Sequence, residues 1–277
     1  MRIHLGGRSR QSLVTARGAL DAAVKGANAA SASELSSQLF FASQILAENS
    51  SIRRALSDNS RDAASKSALI KELFGSKVSP AALGILSSIA DLRWSLPGDV
   101  VYVTEQLAIE AEASAANIDG QLDRLEDELF AFSRVVADTV ELRKALVGNG
   151  SDAAKRTLIE SLLSKSATSS TTKLAVSLAA HLRGRSVEAA FADYLYALAN
   201  RRNRLIAQVR VAAALTDAQK SRLASALEKQ VGQPIRINVQ VDAAVLGGVS
   251  VKFADELVDG SISNRLANAG RALVGQK

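Results

Sequence analysis

Apolar residues recur at helical spacing through the first two hundred or so positions of the chain and then switch to strict alternation. Leu35, Leu39, Ala42 and Leu46 fall at i, i+4, i+7 and i+11, and Leu125, Leu129, Phe132 and Val136 repeat the same spacing. Each run predicts an amphipathic helix with one face in a core. Leu13, Ala16, Leu20 and Ala23 predict an earlier helix by the same rule. Past Arg201-Arg202-Asn203-Arg204 the period falls to two. Leu205, Ala207, Val209 and Val211 lie opposite Gln208 and Arg210, the pattern of a half-buried strand. Thr216 with Gln219 three residues on reads as a capping box opening a helix that carries Leu223, Leu227 and Val231 on one face and stops at Gly232. Ile235, Ile237, Val239 and Val241 then alternate with Arg236, Asn238 and Gln240, and Val249, Val251 and Phe253 mark a third strand. Asp259-Gly260-Ser261 predicts a turn, with Ser261 capping a final helix that buries Ile262, Leu266, Ala269 and Leu273. The order strand, helix, strand, strand, short strand, helix describes a small α+β domain.

The helical region is built twice. Sliding the chain by 90 residues aligns Leu35, Leu39, Phe40, Ser43 and Ala47 with Leu125, Leu129, Phe130, Ser133 and Ala137. The same shift aligns Arg53, Ala55, Leu56, Asn59, Asp62, Ala63 and Ala64 with Arg143, Ala145, Leu146, Asn149, Asp152, Ala153 and Ala154, giving 12 identities in 30 ungapped positions. One deletion later Lys66, Leu69, Ile70 and Leu73 meet Lys155, Leu158, Ile159 and Leu162, and Leu92-Arg93 returns opposite Leu182-Arg183. An ordered run with a single gap is the mark of duplication rather than of shared Ala and Leu content. Asp58-Asn59-Ser60 and Gly148-Asn149-Gly150 punctuate the two copies as turns, and Asp62 and Asp152 are suited to cap or open the following helices. The expected fold is therefore mainly α with a C-terminal α+β domain: two homologous helical bundles, 1–99 and 100–203, followed by a small mixed sheet with helices over 204–277.

Composition narrows the function. With 47% hydrophobic and 22% charged residues over 277 positions, the chain is ordinary globular protein rather than a disordered one. The absence of cysteine excludes disulfides, thiolate nucleophiles and sulfur-ligated metals. No apolar run approaches the roughly 20 residues needed to span a bilayer, so membrane association is expected only through partners. Arg2, Arg8, Arg10 and Arg17, with no acid before Asp21, have the composition of a transit peptide, but the helical spacing of Leu13 to Ala23 gives the simpler reading of a helix start.

The net charge of +6 raises the alternative of a basic nucleic-acid-binding regulator. Its distribution argues against that reading. The 10 basic and 6 acidic residues from Arg204 onward leave the helical part almost neutral, and aromatics are only 4% of the chain. Catalytic chemistry is thinly supplied too. There are two histidines, His4 and His181, and Asp91 stands opposite His181 in the first copy. The acidic run Asp123, Glu126, Asp127 and Glu128 is expected to spread around a solvated helix face. Neither a P-loop nor a GxGxxG turn is present, so no catalytic, metal or cofactor residue is assigned and no cofactor is expected. Trp94, opposite Gly184, is expected to pack.

The C-terminal residues resemble the delta subunit of F-type ATP synthases, the oligomycin-sensitivity-conferring protein family. The resemblance lies in alternating aliphatics from Ile237 to Val241, then Asp242, Val245-Leu246, Gly247-Gly248 and Val249-Ser250-Val251. Asp255, Asp259-Gly260-Ser261 and Arg265-Leu266 continue it, and Ala213-Ala214-Leu215-Thr216, Gln219 and Gly232 match its helix entry and exit. Ala254 departs from it, since the family commonly has Gly before the acid. Gly247 and Gly248 permit a strand to bend or another backbone to approach closely. Residues 100–277 resemble a whole conventional subunit, with Thr104 to Leu129 as its first two helices and Glu141-Leu142-Arg143 opening the third. The first 99 residues are an additional copy of the bundle, as in an enlarged, actinobacterial-like form.

This resemblance implies a non-catalytic stator subunit of a proton-translocating enzyme. By the same resemblance, the helical part holds N-terminal helices of the alpha subunits of the head, and the C-terminal domain grips b-type peripheral stalk subunits. The implied location is the cytoplasmic face of a bacterial cell membrane, peripherally bound, with no nucleic acid partner. An independent helical scaffold protein is the remaining alternative.

Overall fold

Residues 5–201, 205–231, 235–242, 248–253 and 256–261 are described in the computed structural model. They fall into two compact units, Met1–Leu198 and Ala199–Lys277. The first is all helical. The first sequence copy supplies α1 (Gly7–Val24), α2 (Ala29–Glu48), α3 (Ser50–Ser57), α4 (Ala63–Phe74) and α5 (Pro80–Asp91). The second supplies α6 (Asp99–Ile118), α7 (Leu122–Asp138), α8 (Val140–Val147), α9 (Asp152–Leu163), α10 (Ser169–Ala180) and α11 (Val187–Arg201). The stripes Leu35, Leu39, Ala42, Leu46 and Leu125, Leu129, Phe132, Val136 are all buried, as are Leu13, Ala16 and Leu20 of α1.

The duplication is visible in hydrogen bonds as well as in letters. Ser43 Oγ donates to the Phe40 carbonyl at 2.8 Å, and Ser133 Oγ donates to that of Phe130 at 2.6 Å. Arg53 Nη1 donates to the last carbonyls of α2, Leu46 and Ala47, and Arg143 Nη1 reaches Ala137 at the end of α7. A cation there satisfies orphan carbonyls and faces the negative end of the helix dipole, which accounts for arginine at both positions. Gln38 Oε1 accepts from Ser79 N at 2.9 Å ahead of α5, and Glu128 Oε2 accepts from Thr168 N at 2.7 Å ahead of α10. Asp62 caps α4 through Ser65 N at 2.7 Å. Its repeat mate Asp152 is the first residue of α9, and the cap there is Ser151, which accepts from Ala154 N at 3.2 Å.

The copies share α6. This helix is buried on every side, with Val100, Val103, Leu107, Ala108, Ala111 and Ala113 all at 0% exposure. A helix buried on all its faces belongs in the middle of a unit. It packs along α2, touches α1 and α5 in the first copy, and touches α7 and α10 in the second. The repeat boundary at 99/100 thus coincides with the start of a helix common to both copies, inside one compact unit.

The second unit holds β1 (Leu205–Val211), α12 (Asp217–Val231), β2 (Ile235–Val241), β3 (Gly248–Phe253) and β4 (Glu256–Ser261). Their sheet has the order β2-β1-β3-β4. β1 and β2 run parallel, joined through α12, while β3 is antiparallel to both β1 and β4. Register puts Val209 beside Val239 and Val251. Val209, Val211, Val251 and Leu227 of α12 form the core, with Leu215, Leu223, Ile237 and Val239 packed at its margin. The capping box at α12 is reciprocal: Gln219 Oε1 accepts from Thr216 N at 2.8 Å, and Thr216 Oγ1 accepts from Gln219 N at 3.3 Å.

One expectation is corrected here. Asp259, Gly260 and Ser261 do not form a turn but belong to β4, paired with Ser250, Val249 and Gly248. Asp, Gly and Ser favour turns locally, yet backbone hydrogen bonding to β3 continues through them. Ser261 is accordingly a strand residue, and the helix expected after it, with Ile262, Leu266, Ala269 and Leu273, lies outside the described residues.

Candidate partner-binding surfaces

Of the ten signature residues, the structure brings together Asp242, Gly248, Asp259, Gly260 and Ser261 at one end of β2 and along the β3–β4 pair. Asp242 N donates to the Val211 carbonyl at 2.9 Å, which carries the β1–β2 pairing one residue past the strand. The Asp242 carboxylate lies 3.8 Å from Arg210 Nη1. With Arg210 52% exposed, that pair is a weak tether. Leu246, Gly247, Asp255, Arg265 and Leu266 lie outside the described residues.

The helical unit presents an apolar groove between α7 and α9. Phe132, Val135, Leu162 and Leu163 line it, with Ala131 and Ala167 at its edge, around a volume of about 340 Å³. Val135 and Leu162 are 52% and 48% exposed. The first copy shows why this groove is open. Ala131 stands where the first copy has Phe41, and Leu163 where it has Phe74. Those two rings meet edge to face with centroids 6.4 Å apart, and Phe74 is fully buried. The matching positions thus carry a ring pair in the first copy, with Phe74 buried and Phe41 38% exposed, and smaller residues in the second. A second, wider cleft of about 630 Å³ runs between α2 and the α9–α10 pair, where Phe40 and Phe41 face Arg156, Lys173 and His181.

Sequence reasoning missed the charged interior. α6 carries Glu105, Glu110 and Glu112 at 1–2% exposure, and each has a cation from elsewhere in the chain. Arg17 of α1 grips Glu110, with Nη2 2.7 Å from Oε1. Lys173 of α10 lies 2.7 Å from Glu112, which also accepts from Ser33 of α2 and Ser170 of α10. Glu105 accepts from Arg183 at 2.8 Å, Arg185 at 2.9 Å and the Tyr194 hydroxyl at 3.1 Å. Burial works against the Arg185 charge, but the Glu105 carboxylate beside it wins and raises the pKa. Burial, reinforced by the same carboxylate, pushes the Tyr194 hydroxyl well above its ordinary value. Carboxylates recurring inside an otherwise apolar helix were the available signal, since such charges persist in a core only when paired.

The acidic run on α7 is also corrected. Glu126 is buried at 1% exposure, and Glu128 turns inward to hold the start of α10 through Thr168 N and Thr171 Oγ1, both at 2.7 Å. Only Asp123 and Asp127 remain on the solvated face. Trp94 packs as expected, buried with its indole N–H donating to the Ile89 carbonyl at 3.1 Å. His181 stacks on Phe40 at 6.1 Å and donates from Nδ1 to the Ser177 carbonyl at 2.6 Å. Burial, and then the Arg183 charge, lower its pKa. Among the described residues no cluster of His, Asp and Glu is arranged to hold a metal, and no helix is long and apolar enough to cross a membrane.

Comparison with known proteins identifies the lineage. The family described as "ATP synthase delta (OSCP) subunit" matches residues 109–273. The chain is 39% identical over 268 residues to "ATP synthase subunit delta" of Streptomyces coelicolor, covering 96% of this chain and 97% of that one. It is 38% identical over 270 residues to the protein of the same name from Kineococcus radiotolerans, with 97% and 98% coverage, and 37% identical to that of Thermobifida fusca, with 97% and 99%. These relatives span the first copy as well as the second, so the enlarged architecture is shared. The chain belongs to the ATP synthase delta (OSCP) subunit family, a family of non-catalytic subunits of the F-type ATP synthase.

Proposed function

We propose that this delta-family subunit is a stator link, holding the catalytic head of a proton-translocating ATP synthase to its peripheral stalk against rotational torque. In this reading the helical unit captures amphipathic N-terminal helices of the alpha subunits, and the C-terminal unit engages b-type stalk subunits. The protein sits peripherally at the cytoplasmic face of a bacterial cell membrane, reaching the membrane only through its partners, and needs no cofactor.

The observation that carries this reading is the open α7–α9 groove, with Val135 and Leu162 about half exposed. An amphipathic helix lays apolar side chains into such a groove and needs no catalytic group from its host. Because Phe41 and Phe74 pair at the matching position in the first copy, the second copy keeps the head-binding role and the first reinforces the joint. Arg17, Lys173, Arg183 and Arg185 all face buried carboxylates. These four cations are thus held inside the helical unit rather than spread along an outer basic stripe.

Titration of the full-length chain with a labelled peptide from the alpha-subunit N-terminus tests the assignment. Leu162→Glu is expected to weaken capture at least tenfold, while Val14→Glu on the exposed face of α1 leaves it unchanged. Unchanged capture by Leu162→Glu, or loss only in Val14→Glu, overturns it.

A further inference from the structure

The connection between α10 and α11 is held from its own copy and also from the first. Arg183 has φ of 49°, the one left-handed residue other than glycine among the described residues, and Gly184 follows at 78°. A residue with a Cβ persists there only where its surroundings over-determine it. Those surroundings come from α6 and from the first copy. Arg183 Nη1 donates to Glu105 at 2.8 Å and Nη2 to Ser43 Oγ of α2 at 3.1 Å. Phe40 of α2 stacks on His181 on one side of the connection, at 6.1 Å and 12°, and on Tyr194 of α11 on the other, at 6.3 Å and 22°. Arg185 closes the arrangement: it donates to Glu105, to the carbonyls of His181 and Leu182, and to Asp193, and lies 5.9 Å above the Tyr102 ring.

We infer that the first copy works as an intramolecular brace. Its helix α2 supplies Phe40 and Ser43 as a platform that locks the α10–α11 connection and fixes α11, the helix through which the chain leaves the helical unit. The Arg183 side chain is the latch: its two guanidinium bonds tie the connection to α6 and α2 together, and they hold the backbone in a conformation it would otherwise leave. This gives the duplicated copy a mechanical job that does not depend on which partner either copy binds.

Glycine at position 183 separates the brace from mere strain. It adopts positive φ freely, so Arg183→Gly relieves the backbone while removing the latch. Native-state hydrogen exchange on the full-length chain reads the outcome, since local opening appears as faster exchange confined to one segment. The brace predicts that Arg183→Gly speeds exchange of amides 182–190 about tenfold or more while α4 and α9 keep their protection. Ser43→Ala, altered only in the first copy, is expected to move the same amides in the same direction by a smaller factor. Slower or unchanged exchange at 182–190 in Arg183→Gly overturns the proposal. So does an equal loss of protection across the whole helical unit in both variants, which would make Arg183 a general core residue rather than a latch.

Discussion

Arg17 closes a bidentate ion pair on Glu110 across 93 residues of chain, with Nε 2.9 Å from one carboxylate oxygen and 3.1 Å from the other. The pair ties the first helix of the molecule to the helix that both copies share. Glu110 is 2% exposed at its side chain and Arg17 28%. Removing the cation leaves a buried carboxylate without its charge partner, with Gln106 Nε2 still donating to it at 3.2 Å, which is the costly way to break such a pair. Arg17→Ala is expected to destabilise the helical unit by about 2–4 kcal/mol, toward the lower end because Arg17 retains solvent contact. Adding Glu110→Leu to it should recover most of that loss. Urea unfolding of the single and double variants checks this, and a double variant as unstable as the single would refute it.

Glu128 and Gln38 perform the same task in the two copies, but only one of them titrates. Burial pushes the Glu128 carboxyl up, yet hydrogen bonds from the Thr168 backbone, the Thr171 hydroxyl and Arg124 outweigh it and hold the pKa below 4.5. A depressed carboxylate contributes stability that is present above its unfolded pKa and lost as pH falls through the folded value. Glu128→Gln keeps an acceptor but not the charge. It is expected to cost about 1 kcal/mol near neutral pH, because hydrogen bonds to ionised groups are the stronger ones. Denaturation midpoints should converge with those of the parent as the pH falls below the ordinary carboxylate value and through the lowered folded pKa; a pH-independent difference would mean that packing, not charge, is responsible.

His181 should titrate below the ordinary imidazole value of 6.5, because burial and then the Arg183 cation disfavour its protonated form. A folded pKa beneath the unfolded one means that the folded state favours neutral imidazole. The associated stability is complete above 6.5 and declines as pH falls through the folded pKa. The sequence has only His4 besides, so proton NMR of a His4→Gln variant isolates the His181 signal. Arg183→Ala is expected to shift that titration upward. A pKa already at the free value in the parent protein would contradict the burial.

How legible this architecture was depends on whether the deciding partners are near in sequence. The stripe from Leu35 to Leu46 and its repeat mate from Leu125 to Val136 announce themselves because a helix's buried face is periodic along the chain. Thr216 and Gln219 were readable for the same reason, lying three residues apart. Glu105 was not, since Arg183 is 78 residues away and no local pattern links them. Asp259-Gly260-Ser261 misled because turn propensity is local, while the β3 partners that hold those residues in β4 are not. Of the signature residues, Asp242 and Gly248 have a structural setting between β2 and β3. The α7–α9 groove was hidden in a different way: it is legible only by comparison, once Ala131 is seen to stand where the first copy pairs Phe41 with Phe74.

That comparison supplies its own experiment. Replacing Ala131 and Leu163 together by Phe gives the second copy the ring pair that closes the first, where Phe41 and Phe74 sit 6.4 Å apart. An edge-to-face pair contributes about 0.5–1.5 kcal/mol beyond its burial, and the groove of about 340 Å³ has space for the added rings. The double variant Ala131→Phe/Leu163→Phe is therefore expected to fold with unchanged or slightly higher melting temperature. With Val135 and Leu162 covered, its capture of an alpha-subunit N-terminal peptide should fall at least tenfold. Stability and binding moving in opposite directions is the discriminating result, because a variant that merely unfolds loses both. A stable variant that still binds the peptide with parental affinity would place the alpha-subunit contact elsewhere on the helical unit.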